Sequence, residues 1–492
     1  MKLVWKKNRS AVGPVGNFVF VMGLLLFSGL SVCCEDRIEY SADARHLLDF
    51  SLDTLSFDTV FTGLESPVGV FSVYNRNDEA LRMDVSMSGG QTSFFRMNVD
   101  GEAGADVRDV ELLGGDSLMC FVSVSVPEGN SDTPVAVADS IAFRLESGAV
   151  QFVLLKAFGQ DVIRLDGTVL ERDTTFVSAR PYLVYDSLFV REGATLSITQ
   201  GTKLHFHNGA YLRVAGRIIA EGTPDSMIVM CGDRSDKMLD GIPYDILSGR
   251  WGGVLLDSCS FGNRFVSCDI HGGEWGIRTD TSNVLHEKIL IEGCIIHNVK
   301  GNALELNFCR SRVCNSQITN AGNHCVALLG GRNAFRFCTI ANFYPWSLHE
   351  SALDIRNISD SVVVPLVEAD FADCIITGSG TDELTGVVAD SIKGFDEFEV
   401  SNYSIHNSLI LTLDTLNEHL YDNVWDSDCN SVYGSGNFRH VAKGDFKYDF
   451  RLDSLSSARF MVLSSYPFAY DAGGVGRPES HADAGCWQFV PY

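Results

Sequence analysis

Lysine and arginine are scarce in this chain, which has 38 of them against 63 aspartates and glutamates in 492 residues. Residues 1–32 contain four of the cations and no acid, so their removal leaves a formal charge of −29. A surface of this sign repels nucleic acid over a Debye length. We therefore expect no nucleic-acid partner, although a local basic patch would still bind a polyanion.

Metal-binding motifs are also missing, although the chain has 14 cysteines. No Cys-x-x-Cys pair occurs and the histidines are scattered, so the sequence predicts no metal site and no cofactor. Calcium is the alternative, because Asp233, Asp236 and Asp240 lie in one polar stretch, but their spacing does not fit an EF-hand. Most cysteines are expected to be buried free thiols that behave as small hydrophobic residues.

The N-terminal residues have the pattern of a targeting segment. A basic start precedes an almost entirely apolar run over residues 15–30. Leu30-Ser31-Val32-Cys33 then resembles the lipobox of bacterial lipoproteins, in which the cysteine becomes the lipidated N-terminus. Val32 departs from the usual Gly or Ala, so Cys34 is an alternative lipidation site. A plain transmembrane anchor is another hypothesis, but the apolar run over residues 15–30 is short for a membrane span. Glu35-Asp36 resembles the surface-export signal of Bacteroidota lipoproteins.

One short phrase returns through the second half of the chain, with a small Cys or Ser two residues before an Ile. Its copies are Cys268-Asp269-Ile270, Cys294-Ile295-Ile296, Ser316-Gln317-Ile318, Cys338-Thr339-Ile340, Cys374-Ile375-Ile376 and Ser408-Leu409-Ile410. The spacing puts both residues on one face of a strand, and the recurrence every 22 to 36 residues is typical of a solenoid with loop insertions. We predict a right-handed parallel β-helix in which these residues form inward columns. A leucine-rich horseshoe is the competing solenoid, but its consensus is missing.

Residues 36–165 have a different pattern, in which short alternating runs are separated by turn residues. About seven strands in this stretch predict an immunoglobulin-like β-sandwich. Phe57-Asp58-Thr59-Val60-Phe61 and Tyr74-Asn75 resemble phrases of the Ig-like domains that precede β-helices in Bacteroidota lipoproteins. The resemblance implies a structural domain that spaces the solenoid from the membrane and covers its N-terminal edge. A sugar-binding module is the alternative.

Residues 170–492 resemble the right-handed β-helix proteins of the pectin-lyase-like superfamily. The resemblance rests on opening coils such as Gly193-Ala194-Thr195-Leu196-Ser197-Ile198 and Gly209-Ala210-Tyr211-Leu212-Arg213-Val214, and on the ending Asp483-Ala484-Gly485-Cys486-Trp487. It implies a β-helix with a C-terminal cap. It identifies a fold better than a chemistry, because one fold hosts many functions.

The catalytic motifs of that superfamily are missing. Its enzymes mostly cut acidic polysaccharides; the lyases need Ca²⁺ and a Lys or Arg base, and the hydrolases need a close set of carboxylates. The chain has no Asn-Thr-Asp, Asp-Asp, Gly-His-Gly or Arg-Ile-Lys, and no Arg-x-Pro-x-x-Arg of pectate lyases. More divergent lyases stay open, and an acid cluster flanking Lys300 or Arg278 in a groove would favour an enzyme.

Two stretches are candidate binding sites. His271 and His297 each follow a column isoleucine, so alternation points both outward on adjacent coils, about 5 Å apart. There they can bind a sugar or a metal, or shuttle a proton; the alternative is that they are merely solvated. The second stretch is an aromatic loop whose rings can stack on sugars, unless they simply pack the loop onto the solenoid. Its candidate residues are Tyr344, Trp346, His349 and Glu350.

Together these features predict an all-β protein of the outer membrane, held there by its lipid. We expect a signal peptide and lipobox in residues 1–33, an Ig-like sandwich in 36–165 and a β-helix in 170–492. Surface exposure is expected, with a periplasm-facing orientation as the alternative. The β-helix should bind a polysaccharide or a surface protein without catalysis. The rival prediction is a divergent polysaccharide lyase or glycoside hydrolase that acts on the β-helix face.

Overall fold

Strands form almost all of the regular structure of this chain. The computed structural model describes residues 38–234, 236–239, 242–359, 362–386, 388, 401–426, 434–442, 444–463 and 468–491. In these ranges the helices are short 3-10 turns, namely Gly90–Thr92, Tyr244–Ile246 and Gly434–Asn437. No helix among the described residues is long and apolar enough to span a membrane. The predicted lipobox with Cys33 and Cys34, and Asp240 of the polar stretch, lie outside the described residues.

The strands before residue 161 form two five-stranded sheets. One sheet contains, in spatial order, Asp49–Phe50, Gly69–Tyr74, Ser117–Val124, Phe95–Val99 and Glu102–Ala103. The other contains Thr54–Phe61, Val150–Gln160, Val135–Leu145, Leu81–Met87 and Asp106–Leu112. Leu81–Met87 pairs antiparallel with both of its neighbours. This part of the chain is therefore all-β, while its immunoglobulin-like topology stays a prediction.

The chain divides into two compact units. Of the described residues, the first unit holds 38–53, 70–122 and 140–154, and the second holds the rest. In the first unit, Leu81, Met83, Val85 and Met87 alternate along one strand and are all buried, because successive side chains of a strand point to opposite faces. Each such side chain stabilises the unit by about 1.5–3 kcal/mol.

The second unit contains three parallel ladders of strands. Ile163–Leu170 and Tyr182–Val190 open the 18-stranded sheet, which then continues as two ladders. The first ladder contains Lys203–Phe206, Ile228–Gly232, Cys268–His271, Ile295–Val299, Gln317–Ala321, Thr339–Asn342, Ile375–Gly378, Leu409–Ile410 and Val424–Trp425. The second contains Tyr211–Val214, Val254–Leu256, Ile277–Thr279, Leu304–Asn307, Val326–Leu329, Leu353–Arg356 and Leu384–Thr385.

The third ladder is a separate 10-stranded sheet. It contains Thr174–Phe176, Thr195–Thr199, Arg217–Glu221, Asn263–Val266, Ile289–Glu292, Arg310–Cys314, Gly331–Arg336, Leu366–Ala372, Ser401–His406 and Leu420–Tyr421. Three antiparallel hairpins complete the strands described, namely Lys237–Leu239 with Ile242–Pro243, Ile358–Ser359 with Val362–Val363, and Phe438–Ala442 with Lys447–Leu452. Most coils thus add one strand to each ladder, which is consistent with a parallel β-helix and not with a horseshoe of strands and helices.

The isoleucines of the repeated phrase form one inward column, as the sequence predicts. Ile270 pairs in register with Ile296, Ile296 with Ile318, and Ile318 with Ile340. The same register continues through Ile376 to Ile410. All six side chains are fully buried in one apolar cluster. The recurring phrase therefore sets the strand register of the first ladder.

The Cys and Ser residues of the phrase are buried beside that column and carry hydrogen bonds from coil to coil. The Ser316 hydroxyl accepts the N–H of Cys294 at 3.1 Å, and the Ser408 hydroxyl accepts the N–H of Cys374 at 2.9 Å. The sulfur of Cys294 accepts the N–H of Cys268 at 3.4 Å. The cysteines of the described residues are free thiols. A small side chain with an acceptor atom thus suits this column, which explains why Cys and Ser exchange there.

A left-handed residue turns the chain just before each of these Cys or Ser positions. The backbone φ is positive at Ser267, Gly293, Asn315, Phe337, Asp373 and Asn407. Non-glycine residues seldom adopt this conformation, so its return in six coils shows that the corner between the third and first ladders is the same each time.

The outer face of the later coils is covered by the C-terminal segment, of which residues 438–442, 444–463 and 468–486 are described. Ala341, Ile375 and Leu409 point outward from the first ladder, yet they are buried in a cluster with Phe438 and Phe450. The earlier coils of the same ladder carry mostly polar side chains there, with His271, His297 and Thr319 at the position of Ala341, and Asp269, Ile295 and Gln317 at the position of Ile375. The exposed outer face therefore lies among the earlier coils.

Candidate functional site

A column of imidazole and thiol side chains runs along the outer face of the first ladder. His205 pairs in register with Cys231, and His271 pairs in register with His297. Each follows a fully buried residue of the inward column, so alternation turns its side chain away from the core. His271 and His297 are the pair that the sequence places on this face, whereas His205 and Cys231 were not among the predicted site residues.

The two predicted histidines lie against each other and share one carboxylate. Their ring centroids are 4.8 Å apart with 30° between the planes. His271 Nδ1 lies 2.8 Å and His297 Nε2 lies 3.2 Å from the same oxygen of Asp269. The side chain of His271 is 7% exposed, whereas that of His297 is 24% exposed. His297 is therefore the more accessible of the two rings.

A second carboxylate reaches His271 from the loop between Gly232 and Arg250. Asp245 lies in the 3-10 turn Tyr244–Ile246, and its Oδ1 is 2.9 Å from His271 Nε2. Burial lowers the pKa of His271, but Asp269 and Asp245 raise it by a larger amount. The pKa of His271 therefore lies well above its ordinary value. Burial raises the pKa of Asp269, but the two histidines hold it well below its usual range. His271 thus lies between two carboxylates that both favour its protonated form.

Cys231 continues this network on the other side of His271. Its sulfur lies 3.5 Å from His205 Nδ1 and within 4.8 Å of a ring nitrogen of His271. Burial raises the pKa of the Cys231 thiol, but His205 and His271 lower it more, and the result is about 7. A thiol with this pKa is a nucleophile or a metal ligand near neutral pH. The sequence does contain a signal for these two residues. His205 directly follows the inward residue Leu204, and Cys231 directly follows the inward residue Met230, just as His271 follows Ile270.

The aromatic loop uses most of its predicted binding residues for packing. Tyr344 is buried, and its hydroxyl is 2.7 Å from that of Ser248. The ring of Trp346 stacks on Phe446 with centroids 4.5 Å apart.

The loop continues into His349 and Glu350 near its end. His349 Nε2 lies 2.6 Å from the Ser379 hydroxyl, and His349 Nδ1 lies 2.7 Å from the carbonyl of Glu350. The carboxylate-bearing residue Glu350 is exposed, and its carbonyl also accepts a hydrogen bond from the Asn342 amide. These contacts hold the loop in place, and Trp346 stacks on Phe446, a ring that lines a groove on the first ladder.

A groove of about 460 Å³ lies on the outer face of the first ladder. Its floor includes Asp269, His297 and Gln317, and its walls include Tyr448 and Trp487 of the C-terminal part together with Phe446, Asp449 and Arg451. The indole N–H of Trp487 donates to the Gln317 side chain at 2.9 Å, and the hydroxyl of Tyr448 donates to the carbonyl of Phe343 at 3.3 Å. Both rings are therefore fixed in position.

A second cavity, of about 540 Å³, lies within the second unit at the other end of the histidine column. Phe61, Tyr185, Tyr244 and Asp245 are among its lining residues. Arg250 donates to the Tyr244 hydroxyl at 2.6 Å.

Two acids of the predicted calcium stretch, Asp233 and Asp236, lie at this cavity. Asp233 contacts His207 at 2.6 Å, and Asp236 pairs with Arg234 at 2.6 Å. Both described acids are thus engaged by nitrogen-bearing side chains.

An acid cluster flanking Lys300 or Arg278 would have favoured an enzyme. In the structure each of these two cations is paired with one carboxylate. Lys300 Nζ lies 3.0 Å from Glu274, and Arg278 Nε lies 3.3 Å from Glu305. Both pairs are partly exposed at the surface, where an ion pair contributes about 0–1 kcal/mol.

No family model matches this chain, and no curated protein matches it. Among solved structures, a family 123 glycoside hydrolase from Clostridium perfringens, studied for glycolipid glycan hydrolysis, is 10% identical with a TM-score of 0.18, over 23% of this chain and 26% of that one. The ASH/PapD-like domain of human CEP192 is 12% identical with a TM-score of 0.17, over 27% of this chain and 94% of that one. A protein of unknown function from Porphyromonas gingivalis W83 is 19% identical with a TM-score of 0.18, over 25% and 59%. This chain spans less than two thirds of the hydrolase, and similarities of this size establish no shared function.

Proposed function

We propose that the second unit binds a carbohydrate in the groove on the outer face of the first ladder. One observation carries this proposal: the groove joins polar side chains of successive coils to aromatic rings of the C-terminal part in one volume of about 460 Å³. A binding site of this kind needs a few well-placed polar groups to fix orientation and apolar surface to hold the ligand.

The floor of the groove provides the hydrogen-bonding groups. Asp269 is an acceptor and His297 is a half-buried imidazole, whereas the amides of Gln317 and Asn320 are buried and hydrogen-bonded within the protein. Sugar hydroxyls donate and accept hydrogen bonds, so a mixed set of this kind suits them. The strand spacing of about 4.8 Å repeats these groups along the ladder, as a chain of sugar units requires.

The walls of the groove provide the aromatic surface. Tyr448 and Trp487 are half-buried, and each is held by its own hydrogen bond to the protein. A ring that is already fixed loses little conformational entropy when a sugar stacks on it. Aromatic anchors therefore favour binding without a rearrangement of the C-terminal part.

The charge of the groove favours neutral or weakly charged sugars. Asp269 and Asp449 both line it, and Arg451 is paired with Asp449 through an Nε to Oδ1 distance of 2.8 Å. A polyuronate would first have to overcome the repulsion of a mature chain at −29.

A polysaccharide panel tests the proposal. Affinity electrophoresis of the purified protein in gels with neutral and uronic-acid polysaccharides should give retardation by at least one neutral polymer. Trp487→Ala should weaken that binding about tenfold or more, because a buried aromatic anchor contributes about 1–3 kcal/mol. His297→Ala should also weaken it, whereas the matched control His286→Ala, on an exposed loop, should not. Equal effects of the two histidine variants would contradict the proposal. Release of unsaturated sugars, seen by ultraviolet absorbance, would support the lyase alternative instead.

Trp346→Ala tests the role of the aromatic loop. Its ring stacks on Phe446, which lines the groove, so its loss should weaken polysaccharide binding about tenfold and leave the melting temperature within a few degrees. A large drop in melting temperature with unchanged affinity would assign Trp346 to packing alone.

We also propose that the chain is a lipid-anchored outer-membrane protein, with an Ig-like domain over residues 36–165 and a right-handed β-helix over 170–492. The lipobox-like sequence that ends at Cys33 supports the anchor. Cys33→Ala should then leave the precursor unprocessed and without palmitate label in expressing cells. Label that persists in Cys33→Ala but disappears in Cys34→Ala would move the lipidation site by one residue.

A further inference from the structure

Three side chains that are far apart in sequence converge beside the cavity of about 540 Å³. Cys231 and His271 project from neighbouring strands of the first ladder, and Asp245 comes from the loop between those strands. Their ligand atoms, one sulfur, one imidazole nitrogen and one carboxylate oxygen, all lie within 4.8 Å of one another. His271 Nε2 already lies 2.9 Å from Asp245 Oδ1.

We propose that Cys231, Asp245 and His271 bind one zinc ion. The ligands would be the thiolate of Cys231, the carboxylate of Asp245 and Nε2 of His271. In a tetrahedral zinc site the ligand atoms are about 3.4–3.6 Å apart, as follows from bond lengths of about 2.0–2.3 Å. The present separations, which reach at most 4.8 Å, therefore need changes of about 1.4 Å or less, at one flexible carboxylate and one short side chain.

The other nitrogen of His271 supports this assignment. His271 Nδ1 is 2.8 Å from Asp269, so the carboxylate accepts its N–H and leaves Nε2 to face the cysteine and Asp245. Histidine ligands of zinc commonly donate their second N–H to a carboxylate, which fixes the tautomer and the ring orientation. Asp269 is thus a positioning residue and not a ligand of this ion.

The donor set selects the class of metal. A thiolate and an imidazole are soft or borderline ligands, which favour zinc over Ca²⁺ and Mg²⁺. Two of the three side chains are nearly inaccessible, since Cys231 and His271 are each 5% exposed, so the site excludes bulk water on the ladder side. On the other side, Asp245 and Gly232 line the cavity. A fourth coordination position would therefore face the cavity, as in zinc sites that activate water or bind a substrate.

The test is direct measurement of zinc binding by the full chain. Protein treated with a chelator and returned to metal-free buffer is titrated with zinc chloride in competition with a chromophoric chelator. We expect one equivalent per chain, and at least about hundredfold weaker binding for Cys231→Ser and for His271→Gln. Asp269→Asn should weaken binding about 10–100-fold, which is the usual effect of losing an orienting carboxylate. Cobalt(II) in place of zinc should give a thiolate charge-transfer band in the wild type.

Matched variants make the result decisive. Cys268→Ser alters a thiol in the interior column, and His297→Gln alters the ring stacked on His271. Both should bind zinc within about threefold of wild type. The proposal is wrong if wild type binds no equivalent, if the cobalt protein lacks the thiolate band, or if His297→Gln loses zinc while Cys231→Ser keeps it. The cobalt spectrum needs no variant, so absence of the thiolate band would overturn the proposal even if Cys231→Ser fails to fold. Polysaccharide binding in the groove is measured separately, and either proposal can fail without the other.

Discussion

The column of isoleucines makes a strong prediction about one substitution, Ile318→Asp. Ile318 is fully buried and lies in register between Ile296 and Ile340. Truncation of such a side chain costs about 2–5 kcal/mol through lost burial and a residual cavity. The new carboxyl adds a second cost, because Ile318 lies in a cluster of buried apolar side chains where a charge has no partner.

The second cost can be worked out from proton binding. A carboxyl that must stay neutral in the folded state has its pKa raised above neutrality, whereas in the unfolded chain it is about 3.9. Keeping it protonated at pH 7 therefore costs about 4 kcal/mol, at 1.36 kcal/mol for each pH unit. The total of about 6–9 kcal/mol is comparable with the whole stability of a typical domain. Because the penalty exists only above the unfolded pKa, it should shrink by about 4 kcal/mol as the pH falls from 7 to 4.

The assay is chemical denaturation followed by circular dichroism, with Ile318→Asp, Ile318→Ala and a matched control measured at pH 7 and pH 4. The control is Leu285→Asp, the same type of exchange at a side chain that is 77% exposed, and it should change stability by about 0.5 kcal/mol or less. If Ile318→Asp unfolded at the wild-type midpoint, or if both Asp variants behaved alike, the register of the first ladder would be refuted.

Two further predictions concern polar groups that the fold buries. The Ser316 hydroxyl accepts the N–H of Cys294 and donates to the carbonyl of Cys314 at 2.7 Å, so Ser316→Ala should lower the free energy of unfolding by about 1–3 kcal/mol in chemical denaturation. Ser316→Cys should lower it less, because cysteine fills the same position in neighbouring coils. Equal losses in the two variants would contradict the role of the acceptor. Burial raises the pKa of Asp370, but His406 and Arg336 lower it more and hold it well below its usual range, so Asp370→Asn should lower stability by about 1–3 kcal/mol at pH 7. Its folded pKa is depressed, so this contribution is present above the unfolded value of about 3.9 and is lost as the pH falls below it; a difference from wild type that persisted unchanged to pH 2 would contradict the assignment.

The repeated phrase predicts the first ladder because its information is local. A Cys or Ser two residues before an Ile fixes which face is inward, and one slip of the register would expose the whole column. The structure adds the reason for the small residue, which accepts a backbone N–H from the preceding coil. Neither the hydrogen bond nor the left-handed corner before it can be read from spacing, because both depend on the neighbouring coil.

Only those residues of the candidate site that follow the repeat of the Cys/Ser–Ile motif could be predicted from the sequence. His271 and His297 share a position after the column isoleucine, and the register brings their rings together. Asp245 has no such signal, because it belongs to an insertion whose path depends on tertiary contacts. The burial of Tyr344 could not be predicted from the sequence either, because its hydrogen-bond partner Ser248 lies on a loop almost a hundred residues earlier.

The alternation that turns a side chain outward does not determine whether it meets water. On the first ladder, the residue between the Cys or Ser and the Ile is Asp269 in one coil and Ile375 in a later one, and both point away from the core. Ile375 is buried because the C-terminal segment covers the later coils, so an apolar residue is stable there. Asp269 lies between that cover and the loop that carries Asp245, where it binds two histidines. At these two positions the polarity of the outward side chain thus follows its cover, and the groove lies where Asp269 and His297 stay partly exposed.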